Sequence, residues 1–213
     1  MRIIYISDIH GKLEAVGRLP DADLCLVGGD FTTLGGAVEV QAAVETIARR
    51  YPSFLGILGN MDKPEAEEVL VRTGHLLPSE ADLIVGLRIA GLGGANRSPF
   101  NTPNEWDEAF AEKRLGSLAE GALDIAVTHA PPLESGADRI GSGICVGSRA
   151  VSEMLVRVKP SLLLCGHIHE AAGIFRVGES LVVNPGAFGD EGHFVDIRWE
   201  PGEKPSLWLA TAV

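Results

Sequence analysis

Five short phrases hold most of the side chains in this sequence that could do chemistry. They are "SDIH" at 7–10, "GGD" at 28–30, "GNMD" at 59–62, "THAPP" at 128–132 and "GHIH" at 166–169. Each follows an apolar run, and a further run, "SLVV", leads into "NPG" at 184–186. Four of the six histidines, His10, His129, His167 and His169, fall in these exits. Asp and Asn are ordinary turn residues, but turn chemistry does not gather histidines. Asp8, His10, Asp30, Asn60, His129, His167 and His169 together make a mixed oxygen and nitrogen donor set. Such a set suits Mn, Fe or Zn rather than metals that seek thiolates. Two carboxylates set against two divalent ions leave a net positive centre, able to hold a phosphate and to lower the pKa of water. A serine nucleophile fits less well, because no serine sits on a G-x-S-x-G elbow.

The elements that must position these residues can be read from hydrophobic pattern. Strands are predicted over 2–7, 23–28, 53–58, 82–86, 87–92, 123–129, 161–165, 173–177, 180–184, 193–199 and 206–210. Helices are predicted over 12–18, 37–50, 64–73, 104–120 and 146–158. Within 37–50, Val40, Val44, Ile47 and Ala48 recur at helical spacing, and Arg49 and Arg50 suit its C-terminal end. The first half reads as alternating strand and helix with fully apolar strands, as in a parallel sheet covered on both faces. The last forty residues read as an antiparallel meander. In parallel α/β sheets ligands sit beyond the carboxyl ends of the strands, where the phrases above fall. In an extended segment His167 and His169 would point the same way across Ile168.

One domain over 1–213 is expected from a chain of this length. The formal net charge of −11 disfavours non-specific binding to a phosphate backbone. The cysteines are odd in number and form no C-x-x-C, and two of them lie in apolar runs, which points to reduced thiols. The N-terminal apolar run is too short for a signal peptide and no segment approaches a membrane span, so a cytoplasmic protein is expected. The irregular stretch 91–106, "GLGGANRSPFNTPNEW", is long enough to suggest a functional loop. It could close over a substrate or pack on the partner of a homodimer.

Taken in order, D-x-H (Asp8, His10), G-G-D (Asp30), G-N-x-D (Asn60, Asp62), His129 and G-H-x-H (His167, His169) resemble the calcineurin-like metallophosphoesterases. The resemblance runs from residue 5 to about residue 190 and is strongest toward small single-domain bacterial and archaeal members. It implies a four-layer α/β/β/α sandwich of two mixed sheets flanked by helices. It further implies two divalent ions, Mn²⁺ first, with Fe, Zn or Ni as alternatives. Asp8, His10, Asp30 and His169 would bind one ion and Asp30, Asn60, His129 and His167 the other, with Asp30 and a hydroxide bridging. The implied activity is hydrolysis of a small phosphate ester by that hydroxide. A retromer subunit with the same fold works largely through protein contacts, so a binding scaffold is the rival reading, although scaffolds are free to lose ligands and all seven positions are filled here.

The departure from the pattern is Met61. Many members carry histidine there, where it contacts phosphate or protonates the leaving group. A thioether cannot donate a proton, so the expected substrate is an activated ester or a diester rather than an alkyl monoester. Asp62 would have oriented the missing histidine, or it places charge at the N-terminus of the helix beginning at Pro64. Arg97 in the long loop either contacts substrate phosphate or is solvated. The start of the helix after "GSGICVGS" either offers backbone N–H groups to an anion or is simply capped by Ser148. Asn184 either forms a turn or supports the site, and His75 and His193, outside the exits, read as structural or solvated.

Overall fold

A computed structural model describes residues 1–200 and 203–212. A five-stranded sheet has the order β13-β12-β1-β2-β3. Its strands are β1 (Arg2–Ile6), β2 (Leu24–Val27), β3 (Phe54–Gly56), β12 (His193–Arg198) and β13 (Ser206–Thr211). A six-stranded sheet has the order β10-β11-β9-β8-β5-β4. It is built from β4 (Asp82–Ile84), β5 (Leu87–Leu92), β8 (Ile125–Thr128), β9 (Leu162–Leu164), β10 (Gly173–Val177) and β11 (Ser180–Asn184). Within the first sheet β1, β2 and β3 run parallel, as do β5, β8, β9 and β11 in the second.

Strand side chains alternate between faces, and that alternation builds three apolar layers. Ile3, Tyr5, Leu24 and Leu26 of the first sheet meet Ile89, Ile125, Val127 and Leu164 of the second. Ile4, Ile6, Cys25 and Val27 face outward onto Val40, Val44 and Ile47 of α1 (Ala37–Arg50) and onto Val69 and Leu70 of α2 (Glu67–Thr73). On the far side Ala126, Leu163 and Val182 pack on α3 (Glu108–Leu115) and α4 (Arg149–Val158). The result is the four-layer α/β/β/α sandwich. The apolar strands of the first half are therefore covered by helices on one face and by another sheet on the other, rather than by helices on both.

The last forty residues depart from the single meander expected. They form two hairpins, β10–β11 in the six-stranded sheet and β12–β13 in the five-stranded one. Between them lies an unexpected short helix, α5 (Phe188–Glu191). The helix expected at 12–18 is only a 3₁₀ turn at Val16–Arg18, because Gly11, Gly17 and Pro20 leave too few residues to nucleate more. Residues 64–73 open with a 3₁₀ turn at Pro64–Ala66 before α2. The helix expected from 104 starts at Glu108, since the Asp107 side chain caps it by accepting from Phe110 N–H. Glu105–Trp106 instead form β7, parallel to β6 (Ala95–Asn96).

The helix expected from 146 starts at Arg149. Its N-terminus is occupied by the protein's own carboxylate: Glu108 accepts from Ser148 Oγ at 2.9 Å, Arg149 N at 3.2 Å and Ala150 N at 2.8 Å. That end of α4 is thus filled from within. Cys25, Cys145 and Cys165 are free thiols. No helix among the described residues is long and apolar enough to cross a membrane.

Candidate metal centre

The loops that leave β1 and β2 are zipped together by backbone hydrogen bonds. Asp8 N–H donates to Gly29 O at 3.0 Å, and Ile9 and His10 N–H donate to Asp30 O at 2.8 and 2.9 Å. To make these bonds, Asp8, His10 and Asp30 take left-handed backbone with φ of 58°, 50° and 51°. Such strain costs about 1–3 kcal/mol per residue and persists only where the surroundings enforce it. His167 shares it at φ 69°. The loops also require small residues: a Cβ on Gly59 would collide with the Asp30 carboxylate, and one on Gly166 with Ser7 and Asp8.

His167 and His169 do not reach the site as alternate residues of an extended segment. His167 is left-handed and His169 begins a 3₁₀ turn, His169–Ala171. The two rings separate: His167 lies beside His129, ring centroids 5.2 Å apart, and His169 beside His10 at 5.3 Å. Asn184, fully buried, holds this loop by donating to Ile168 O at 2.8 Å while its Oδ1 accepts from Gly186 N–H.

Atoms able to ligate a metal converge in the middle. His129 Nδ1 donates to Gly28 O at 2.8 Å, so its Nε2 is the nitrogen left to face the site. That nitrogen faces Asn60 Oδ1 at 2.8 Å and Asp30 Oδ2 at 3.4 Å. Beside them His10 Nε2 faces His169 Nε2 at 3.4 Å, and His169 Nε2 lies 3.2 Å from Asp8 Oδ1. These atoms repel one another unless a proton or a metal cation lies between them, and the neighbouring carboxylates favour either one. Two groupings bring their ligand atoms within 4.8 Å of one another: Asp8, His10, His169 and Asp8, Asp30, His129. The donor set therefore fits divalent ions.

The electrostatics agree. Burial disfavours charge on His129, but Asp30 and Asp8 outweigh it and raise the imidazole to about 9. Burial also works against the Asp8 carboxylate, yet the hydrogen bond from His169 and the charge of His129 hold it below the usual range. His167 is pushed down to about 4 by burial and by His129. The pocket stabilises positive charge between its carboxylates, and a divalent cation supplies more of it than a proton. Asp8, Asp30, Asn60 and His129 are buried, whereas His10, His167 and His169 are half-buried.

Asp62 is also fully buried. Its carboxylate accepts N–H groups from Phe31 (3.1 Å), Thr32 (2.9 Å) and Gly59 (2.9 Å) and the Thr32 hydroxyl (2.8 Å). It staples the β2 exit to the β3 exit and does not cap the turn at Pro64. Burial and the neighbouring Asp30 raise it to about 6. Met61 contributes its backbone: its N–H donates to Asp30 Oδ1 at 2.8 Å. Arg97 is exposed and lines a cavity of about 300 Å³ with Glu105, Trp106 and Phe110, none of whose walls is a candidate ligand. His75 stacks on Phe54 at 3.9 Å, and His193 pairs with Glu191.

The sequence reading missed three residues at this centre. Thr33 Oγ1 lies 3.2 Å from His10 Nδ1. Asn60 Nδ2 donates to Thr102 Oγ1 at 2.9 Å, and Thr102 in turn contacts Glu105. No spacing rule points to a single threonine, although the length and polarity of 91–106 mark the right loop.

The family model of the calcineurin-like phosphoesterase superfamily domain matches residues 1–196. An uncharacterized protein of Methanocaldococcus jannaschii is 34% identical over 194 residues, covering 87% of this chain and 88% of its own. Among solved structures, the protein TT1561 of Thermus thermophilus superposes with TM-score 0.72 at 20% identity, over 100% of this chain and 99% of that one. An archaeal phosphodiesterase superposes with TM-score 0.51 at 15% identity, over 99% and 100%. With the family model spanning nearly all of its length and the archaeal relative aligned along most of it, the chain belongs to the calcineurin-like phosphoesterase superfamily.

Proposed function

We propose that the protein is a dinuclear-metal-dependent phosphoesterase that hydrolyses a small phosphate ester, and a diester or activated ester in preference to an alkyl monoester. Asp8, His10, Asp30 and His169 would hold one ion and Asp30, Asn60, His129 and His167 the other, with Asp30 shared. The observation that carries this reading is His129 Nε2 facing Asn60 Oδ1 at 2.8 Å with its other nitrogen committed to Gly28 O. When bound, the ions would supply positive charge for the phosphoryl oxygens and acidify water as a nucleophile.

The chain's own groups fix the geometry around that charge. Gly28 O sets the His129 tautomer, and the Met61 N–H holds one Asp30 oxygen so that the other faces His129 and His10. Asp62 keeps the two carrier loops in register. What the phrase "GNMD" does not supply is a proton for the leaving group. Loss of general-acid help costs on the order of 10²–10⁴ in rate for a poor leaving group, and little for a phenolate. The preference for diesters and aryl esters rests on that deficit.

The test is metal content after purification without chelators, together with Mn²⁺-dependent hydrolysis of bis(4-nitrophenyl) phosphate and of an alkyl monoester. Two ions per chain, and aryl diester turnover lost in Asp30→Ala, are expected. Alkyl monoester rates far above the diester rates would overturn the substrate preference. Bound metal with no turnover across a broad ester panel would replace the enzyme by a binding scaffold.

A further inference from the structure

The long loop makes three hydrogen bonds to the turn that carries Asn60. Asn104 N–H donates to Asn60 O at 3.0 Å, Asn104 Nδ2 donates to Gly59 O at 3.0 Å, and Thr102 Oγ1 accepts from Asn60 Nδ2 at 2.9 Å. Behind Thr102 stands Glu105. Its carboxylate accepts the Thr102 hydroxyl at 2.7 Å and Thr102 N–H at 2.9 Å, and also Ser98 Oγ at 2.6 Å and Ser98 N–H at 3.1 Å.

The protons in this chain can be counted. An ionised carboxylate only accepts, so the single proton of the Thr102 hydroxyl is spent on Glu105. Thr102 Oγ1 then has lone pairs alone to offer Asn60, and only the amide nitrogen of Asn60 can meet them. The amide oxygen is thereby turned toward His129 Nε2. Were the amide reversed, two oxygens would face each other at the loop and an N–H₂ group would occupy the cation position. We propose that Thr102, directed by Glu105, is a positioning residue that fixes which end of Asn60 is presented to the metal, and so sets the affinity of the ion bound by Asn60, His129 and His167. This inference rests on Asn60 being a ligand. It gives the 91–106 loop a role that depends on neither substrate nor partner subunit.

Partners that orient a metal ligand are typically worth 10–100-fold in affinity. The experiment is a calorimetric Mn²⁺ titration of protein stripped by a chelator, comparing wild type with Thr102→Val, Thr102→Ser and Asn60→Ala. Thr102→Val keeps the shape and removes the hydroxyl. It should weaken one of two Mn²⁺ ions by about 10–100-fold and leave the other unchanged. Thr102→Ser keeps the hydroxyl and should restore affinity to near the wild-type value. Asn60→Ala should weaken the same ion further. If Thr102→Val keeps both affinities while Asn60→Ala loses one, the loop inference fails and Asn60 stands as a ligand. If Asn60→Ala itself keeps both, the ligand reading fails and the inference with it. Equal weakening by Val and Ser, or equal weakening of both ions by Val, also overturns it, because the hydroxyl would then not be the agent.

Discussion

The two halves of the centre are held in different ways. The first sheet delivers Asp8, His10, Asp30 and Asn60 on short exits that are locked to each other by backbone hydrogen bonds and by one buried carboxylate, Asp62. The second sheet delivers His129, His167 and His169 on exits tied to each other by the backbone bond from Gly166 N–H to His129 O at 3.1 Å. His129 leans on Gly28 O across the sheets, and the His167–His169 loop is held by the amide of Asn184 and by His167 N–H, which donates to the Asp8 carboxylate at 3.1 Å. Asp8, His10 and Asp30 therefore sit in a strained frame closed by its own backbone bonds and by Asp62. The second-sheet histidines lean on that frame, His129 through Gly28 O and His167 through the Asp8 carboxylate. Two like charges buried side by side must be kept from moving apart or toward water, and the backbone bonds and Asp62 do this for Asp8 and Asp30.

The comparison breaks first at Asp62. Asp62→Ala leaves three buried N–H groups, on Phe31, Thr32 and Gly59, without an acceptor. At about 1–3 kcal/mol for each unsatisfied group, a loss of roughly 4 kcal/mol is expected in urea unfolding, with Mn²⁺ binding at the proposed centre weakened. Asn184→Ala strands one carbonyl and one N–H, so about 2 kcal/mol is expected, along with a loss of about 10-fold or more in metal affinity through the histidine loop. If the two variants cost the same, the difference between a frame closed on itself and a loop that leans on it does not exist.

Much of the frame was legible because apolar strands and one helix are dictated locally. The spacing of Val40, Val44 and Ile47 yields α1 at Ala37–Arg50, and each apolar run became a strand. The exits were legible because histidines at strand ends are chemically unusual. What could not be read depends on tertiary partners. Glu105 belongs to a helical pattern by sequence, but Ala95–Asn96 captures Glu105–Trp106 in a strand pair and Asp107 caps the helix behind it. The left-handed backbone of Asp8, His10 and Asp30 exists only because β1 and β2 place their exits side by side. Thr102 is one of many loop hydroxyls until the fold sets it against Asn60.

The smallest expected effect sharpens the comparison from the loop side. Burial alone would raise Glu105, but hydrogen bonds from Ser98 and Thr102 bring it down from the ordinary 4.5 to about 2. A folded value below the unfolded one means that its stabilisation is complete above about 4.5 and fades as pH falls toward about 2. Glu105→Gln weakens these bonds at neutral pH, by about 1 kcal/mol for a half-exposed group, or about 2–4 °C in Tm. The gap between wild type and variant should hold from pH 7 to about 5 and close between about 4.5 and 2. Arg97 and Asp107 line the same cavity, so Arg97→Gln and Asp107→Asn controls should leave that closing in place. A gap that stays constant down to about pH 2 would mean that the carboxylate charge is not what fastens the loop to the turn that carries Asn60.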